Sequence, residues 1–233
     1  MIRLDKLCAH LGLGSRKEVK MMIRKGLISV NGDLIYNDDF KVDERQDEVV
    51  YLDESLHYPA QQYFMLNKPV DTICSRDVSL YPSVLDLFND PLLPSTQAVG
   101  RLDVDTTGLL LVSSDGQVAH RCLSSKHHVE KVYEIDLAID FDRTFIDILE
   151  KGGIVLDGQA CLPAKIKIIS ARKLHLSIIE GRYHQVKRMM HACNNEVAHL
   201  KRIQFGPLKL DESLELGEYR PLTQAEINLL KQI

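Results

Sequence analysis

The chain has 233 residues, 45% hydrophobic and 27% charged, room for one large domain or for a small and a medium one. That apolar fraction supports a packed core and excludes wholesale disorder. No run of about 18 apolar residues occurs, so no membrane helix is expected, and MIRLDKLCAH lacks the apolar stretch of a secretory signal. Five cysteines (Cys8, Cys74, Cys122, Cys161 and Cys193), without a CxxC pair, argue against a disulfide framework and a structural zinc site. A reduced, cytoplasmic setting is the expectation.

A net charge of −4 argues against a nucleic-acid partner, but its distribution argues for one. Residues 1–36 carry seven Lys/Arg against three Asp/Glu. Residues 165–202 carry nine against two, with four histidines besides, and the chain between is acidic. Two basic blocks on an acidic chain are the pattern of an electrostatic footprint for phosphate.

In chain order, Ser15 and Glu18 have the spacing of a capping box and predict a helix start. Val19, Met22 and Ile23 give that helix one apolar stripe, and Gly26 stops it. Arg16, Lys17, Lys20, Arg24 and Lys25 lie off the stripe, and Arg16, Lys20 and Arg24, four apart, share one face. Leu27 to Tyr36 reads as strand, Asn31-Gly32 turn, strand. A basic helix beside a hairpin suits RNA binding through backbone charge. Arg3-Leu-Asp-Lys6, Ser15-Arg16 and Gly26-Leu-Ile-Ser-Val-Asn-Gly32 together resemble the S4-type RNA-binding domain, over residues 1–45. The acidic stretch Asp38 to Glu54 and the run Tyr58-Pro59-Ala60-Gln61 predict a mobile linker over 46–61.

From Gln62 the pattern changes. Tyr63-Phe-Met-Leu-Asn67 reads as a buried strand ending at Lys68-Pro69. In Gly100-Arg-Leu-Asp103-Val-Asp-Thr-Thr-Gly-Leu-Leu-Leu-Val112, two carboxylates abut an apolar run. If 101–103 are extended, Arg101 and Asp103 point to one side and Leu102 to the other. A carboxylate beside a guanidinium stays ionised, which suits a nucleophile or a base. Glu130 to Leu137 alternates as a strand with Tyr133 on one face. Arg172 to Ile179 alternates with Leu174, Leu176 and Ile178 inward, then runs into Glu180-Gly-Arg182-Tyr-His-Gln-Val-Lys-Arg-Met-Met190. There Val186, Met189, Met190 and Cys193 mark a helix whose free amides favour a nearby anion.

The ordered set Tyr63 to Pro69, Gly100-Arg-Leu-Asp103 with Asp105-Thr-Thr-Gly108, Lys131-Val-Tyr133, Glu180 to Met189 and Gly217-Glu-Tyr-Arg-Pro-Leu-Thr223 resembles the pseudouridine synthases of the RsuA branch. The resemblance implies an α+β protein: the small S4-like domain plus a catalytic domain over 62–233 with a mixed, largely antiparallel sheet. It implies isomerisation of a uridine in RNA, without cofactor or metal. Asp103 is then the essential residue, acting by covalent attack or by removing a ribose proton. Tyr133 stacks on the base and assists loss of the C5 proton, and Arg182 pairs with Asp103. Arg101 fills the gap left by the extruded uridine. Arg16, Lys17, Lys20, Arg24, Lys25, Lys187 and Arg188 grip RNA phosphates. The implied partner is 16S ribosomal RNA, at uridine 516, in an assembling small-subunit particle, with the enzyme a monomer.

Alternatives are a 23S target or a non-catalytic ribosome-assembly protein. Asp103-Val-Asp105-Thr106 also resembles the start of haloacid dehalogenase-type phosphatases, which need magnesium. Gly100-Arg101, however, interrupts the hydrophobic strand expected before that motif. The spacing of His184, His191 and His199 fits no metal-ligand array.

Overall fold

A computed structural model describes residues 1–43, 46–56, 61–77 and 80–233. The chain forms two compact units, Met1–Gln61 with Leu92–Thr96, and Gln62–Pro91 with Gln97–Ile233. No described helix is long and apolar enough to cross a membrane.

The first unit runs β1 (Ile2–Arg3), α1 (Leu4–His10), α2 (Arg16–Arg24), β2 (Ile28–Val30), β3 (Asp33–Leu34), β4 (Lys41–Val42), β5 (Val49–Tyr51) and β6 (Glu54–Leu56). The capping box starts α2: the Glu18 amide donates to Ser15 Oγ, and the Ser15 amide donates to Glu18 Oε2 at 2.7 Å. Val19 and Ile23 bury the apolar stripe of α2 against Leu4, Leu7, Cys8, Ile28 and Val30. Asn31 (φ 52°) and Gly32 (φ 89°) take the two consecutive left-handed conformations that a tight hairpin turn needs to match strand twist.

The stretch expected as a linker carries structure. β5 pairs antiparallel with β2, setting Val49 opposite Val30, and β6 folds back on β5 in a sheet of order β3-β2-β5-β6. The acidic composition concealed a short β-branched run, Val49-Val50, that closes the edge of β2 and buries Val49. Residues 57–60 of that stretch lie outside the described residues.

The second unit contains β7 (Tyr63–Lys68), β8 (Gln97–Ala98), β9 (Thr106–Ser113), α3 (Gly116–Leu123), β10 (Lys131–Leu137), α4 (Ile146–Glu150), β11 (Val155–Leu156), β12 (Gln159–Ala160), β13 (Lys165–Ser170), β14 (Lys173–Ile178), α5 (Gln185–Ala192), β15 (Val197–Phe205), β16 (Leu208–Lys209), β17 (Tyr219–Pro221) and α6 (Gln224–Lys231). Its main sheet has the order β13-β14-β10-β15-β9-β7-β17. The pairings along it are antiparallel except β9–β15, giving the mixed α+β sheet expected. β7 and β9 are buried at every position, as continuous apolar runs in a sheet covered on both faces must be. Leu109 and Leu111 pack with Val118, Cys122, Phe205 and Leu230 in one cluster.

Two irregularities shape the centre of this sheet. Gly108, at φ 98°, has no side chain where β9 meets β15; a Cβ there would collide with the backbone oxygen of Arg202. A β-bulge in the β10–β15 pairing sets Gln204 opposite Val132 but Arg202 opposite Tyr133. Burial along β15 follows suit, with Leu200, Arg202 and then Phe205 buried, a step of two followed by a step of three.

Candidate active site

Wholly within the second unit, a cleft of about 370 Å³ is bounded by the 100–106 loop, by Lys131 and Tyr133 of β10, by the 181–187 turn and helix start, and by Leu200, Arg202 and Phe205 of β15. Arg101 and Asp103 both line it, and Leu102 is buried between them.

Lys68, fully buried at the end of β7, fixes the carboxylate's loop. Its Nζ donates to the carbonyl oxygens of Asp103 (3.0 Å), Thr106 (3.1 Å) and Pro69 (2.9 Å), with that of Val104 at 3.4 Å. Burial pushes the pKa of this amine down, against the raising pull of Cys74 and of the acids Asp105, Asp103 and Asp71. One ammonium thus replaces a ladder of backbone hydrogen bonds for a loop that has no strand partner.

The Asp103 side chain is about one-third exposed. Lys187 Nζ stands 3.3 Å from its Oδ2, and His184 Nε2 stands 3.5 Å from its Oδ1. Lys187 also donates to Asp105 at 2.5 Å. Burial raises the Asp105 pKa, and the Lys187 hydrogen bond and charge more than offset it, so the net shift is downward. His184 takes a left-handed backbone (φ 47°) immediately before α5, and its ring stacks on Tyr183 with centroids 3.9 Å apart.

The expected pairing of Arg182 with Asp103 does not form. Arg182 Nε donates to Glu180 at 3.1 Å, and its Nη atoms donate to the carbonyls of Gln159 (3.0 Å) and Ala160 (2.7 Å). The guanidinium therefore clips the β11–β12 hairpin to the turn before α5. The reason is directional: Arg182 precedes the helix and turns toward Glu180, whereas Lys187, one turn into α5, projects toward the 103–105 loop. Tyr133 is where the alternation put it, buried on β10 and facing the cleft.

The basic residues are less free than their sequence suggests. Arg16 and Lys20 reach Asp5 (3.0 and 3.8 Å), while Lys20 and Arg24 reach Asp38 (3.6 and 2.9 Å). Arg188 forms a two-point pair with Asp157. Lys17 and Lys25 are exposed, on α2 and just after it. Sequence reasoning missed Lys187 as the partner of Asp103, and Lys68 and Arg202 as parts of the site. For Lys68 and Arg202 the one available signal was charge inside otherwise apolar strand patterns.

The fold and cleft define a catalytic unit, with a carboxylate held between a lysine and a histidine, in a chain that also carries a small helix-hairpin module. The chain belongs to the RNA pseudouridylate synthase family, whose pattern matches residues 62–192, and it carries an S4 domain at residues 2–49. It is therefore an isomerase of uridine in RNA. It is 43% identical to the ribosomal small subunit pseudouridine synthase A of Haemophilus influenzae, across 98% of this chain and 99% of that protein. It is 40% identical to the enzyme of the same name from Escherichia coli, over 97% of this chain and 98% of that protein. It is also 40% identical to an uncharacterized RNA pseudouridine synthase of Bacillus subtilis, over 99% of each. A crystal structure of a pseudouridylate synthase superposes with a TM-score of 0.71 at 43% identity, covering 99% of this chain and all of that one.

Proposed function

We propose that this enzyme converts one uridine of ribosomal RNA to pseudouridine, with uridine 516 of 16S RNA in an assembling small-subunit particle as its target, as a cytoplasmic monomer. The observation that carries the chemistry is the Asp103 carboxylate, held by Lys187 and His184 at a cleft that Tyr133 also lines. The names of the near full-length relatives support the small-subunit target.

In this reading Asp103 acts on the ribose, by attack at C1′ or by taking the 2′ proton. Lys187 and His184 hold and aim its carboxylate, the part the sequence had suggested for Arg182. Arg182 holds the turn that delivers both. Tyr133 stacks on the base, and Arg101, exposed at the mouth of the cleft, takes the place of the extruded nucleotide. The S4-like unit grips the RNA through Lys17, Lys25 and those cations of α2 that phosphate draws away from Asp5 and Asp38, while Lys187 and Arg188 meet phosphates at the rim.

The test is pseudouridine mapping of ribosomal RNA from cells lacking the gene. Loss of the small-subunit site, restored by the wild-type gene but not by Asp103→Asn, is the expected result. Loss of a large-subunit site overturns the target. An unchanged map, or restoration by Asp103→Asn, overturns the catalytic reading.

A further inference from the structure

The cleft has a floor that the roles above leave unused. Arg202 is only 2% exposed. Its Nε donates to the Leu109 carbonyl at 2.8 Å, and its guanidinium lies 4.8 Å from the Phe205 ring centroid. Its Nη2 is buried and meets no acceptor among the described residues, nor does any carboxylate among them pair with it. Lys131 approaches the same ring, its Nζ 5.7 Å from the centroid, and donates to the Val129 carbonyl at 2.8 Å. Burial first, and the Arg202 charge second, push the Lys131 pKa down. Both cations line the cleft with Tyr133; the regular pairing of Ile135–Tyr133 with Leu200–Arg202 sets Arg202 opposite that tyrosine, and the bulge just beyond brings Phe205 to the buried side. Thr106, another wall residue, likewise has a buried hydroxyl with no partner among the described residues.

A buried guanidinium without a counter-ion is costly, and so is a buried donor without an acceptor. Kept inside a substrate cleft, such a group is set to meet negative charge that arrives or develops there. Phosphates of an RNA strand pass outside the base and meet the rim, whereas the floor reaches what enters the cleft, which is the base. Uracil is neutral as substrate. It becomes negative when C1′–N1 breaks, because the bonding pair stays on the ring and spreads over N1, O2 and O4.

We propose that Arg202, seconded by Lys131, is a catalytic residue whose Nη2 donates to a carbonyl oxygen of the detached uracil and holds its negative charge until C5 bonds to C1′. The inference rests on the reading of the Asp103 cleft as the site of uridine isomerisation. The electron pair released from C1′–N1 is returned when the ring bonds C1′ through C5. The C5 proton passes to a base, N1 gains a proton, and Arg202 stays protonated throughout, so no oxidant or reductant is needed.

The test uses the full-length enzyme with small-subunit particles assembled on 16S RNA from cells lacking the gene, labelled with 5-tritiated uridine, in single-turnover tritium release. Thermal unfolding and filter binding are followed in parallel. Arg202→Gln is expected to slow turnover by about 100-fold or more, while RNA affinity stays within about twofold. Fluorine at C5 stabilises the uracil anion by itself. On RNA carrying 5-fluorouridine, consumption of the target nucleotide is therefore expected to show a deficit about tenfold smaller. Lys131→Met is expected to show the same trend to a lesser degree. If Arg202→Gln fails to fold, Arg202→Lys, which keeps the charge but removes the fork, carries the same two readouts. Wild-type rates in the folded variants overturn the proposal, as does an equal deficit on both nucleotides. An active Asp103→Asn enzyme overturns instead the reading beneath it, whereas an inactive Asp103→Asn beside a fully active Arg202→Gln overturns this inference alone.

Discussion

Asp103 meets Lys187 and His184 through different oxygens, and the two are not equivalent. The Lys187 amine is anchored by a second carboxylate, Asp105, whereas His184 contributes charge only when protonated. Lys187→Met is therefore expected to lower the single-turnover rate by about 10- to 100-fold and, with the loss of a phosphate contact, to weaken RNA binding severalfold. Lys68 works from behind. Replacing it by Met removes the one charged donor shared by four carbonyls, and is expected to lower stability by about 3 kcal/mol in urea unfolding while also slowing turnover. Away from the cleft, the hydrogen bond from Arg220 holds the Glu226 carboxyl at about 2, below its ordinary 4.5. A carboxylate depressed on folding stabilises fully above its unfolded pKa. That contribution is present at pH 7 and is lost progressively as pH falls from about 4.5 toward 2. Urea midpoints taken across that range are expected to fall less steeply for Glu226→Gln than for the wild type.

At the level of elements, what periodicity and capping encode was legible. α2 begins at its capping box, the Asn31-Gly32 hairpin turns as its dihedrals require, and β14 buries Leu174, Leu176 and Ile178. Ser15→Ala is accordingly expected to cost about 1 kcal/mol, read from the unfolding of the first unit. The close contact of β9 with β15 was not legible, because it joins segments far apart along the chain and depends on a glycine at the point of contact. Gly108→Ala forces a left-handed φ on an alanine and drives a methyl group into the Arg202 backbone. A loss of about 2–4 kcal/mol in urea unfolding is the expected outcome. Arg202 did not stand out among the site residues because β15 does not keep its alternation to the end: Leu200 and Arg202 face Ile135 and Tyr133 in regular register, and the bulge beyond them brings Phe205 instead of Gln204 to the buried side. Arg182 and Lys187 were both visible as basic residues near a helix start, but which of them meets Asp103 depends on the path of the 100–106 loop, which local pattern does not specify.

Across the whole chain, charge was legible as blocks and not as pairs. The acids that make the protein negative overall include Asp5 and Asp38, which sit on the very helix face expected to meet RNA. RNA phosphate must compete with them, so the net gain in counter-ion release is smaller than a count of cations implies. Asp38→Asn frees Lys20 and Arg24 and is expected to tighten ribosomal RNA binding severalfold at low salt, with a steeper dependence of log K on log salt in filter-binding titrations. The acidic 46–61 segment was misread for the same reason, since composition reports exposure of side chains and not pairing of backbone, and β5 pairs through its backbone.

The parallel contact of β9 with β15 also bears on the order in which the molecule can be made. The Arg202–Leu109 hydrogen bond spans 93 residues, and parallel strands cannot be joined by a tight turn. Closing so long a loop is entropically late. A chain emerging from a ribosome can complete the first unit, and even the β7–β9 pairing, well before β15 exists. Binding and catalysis would then mature at different moments in the life of one nascent chain, with the grip ready before the chemistry.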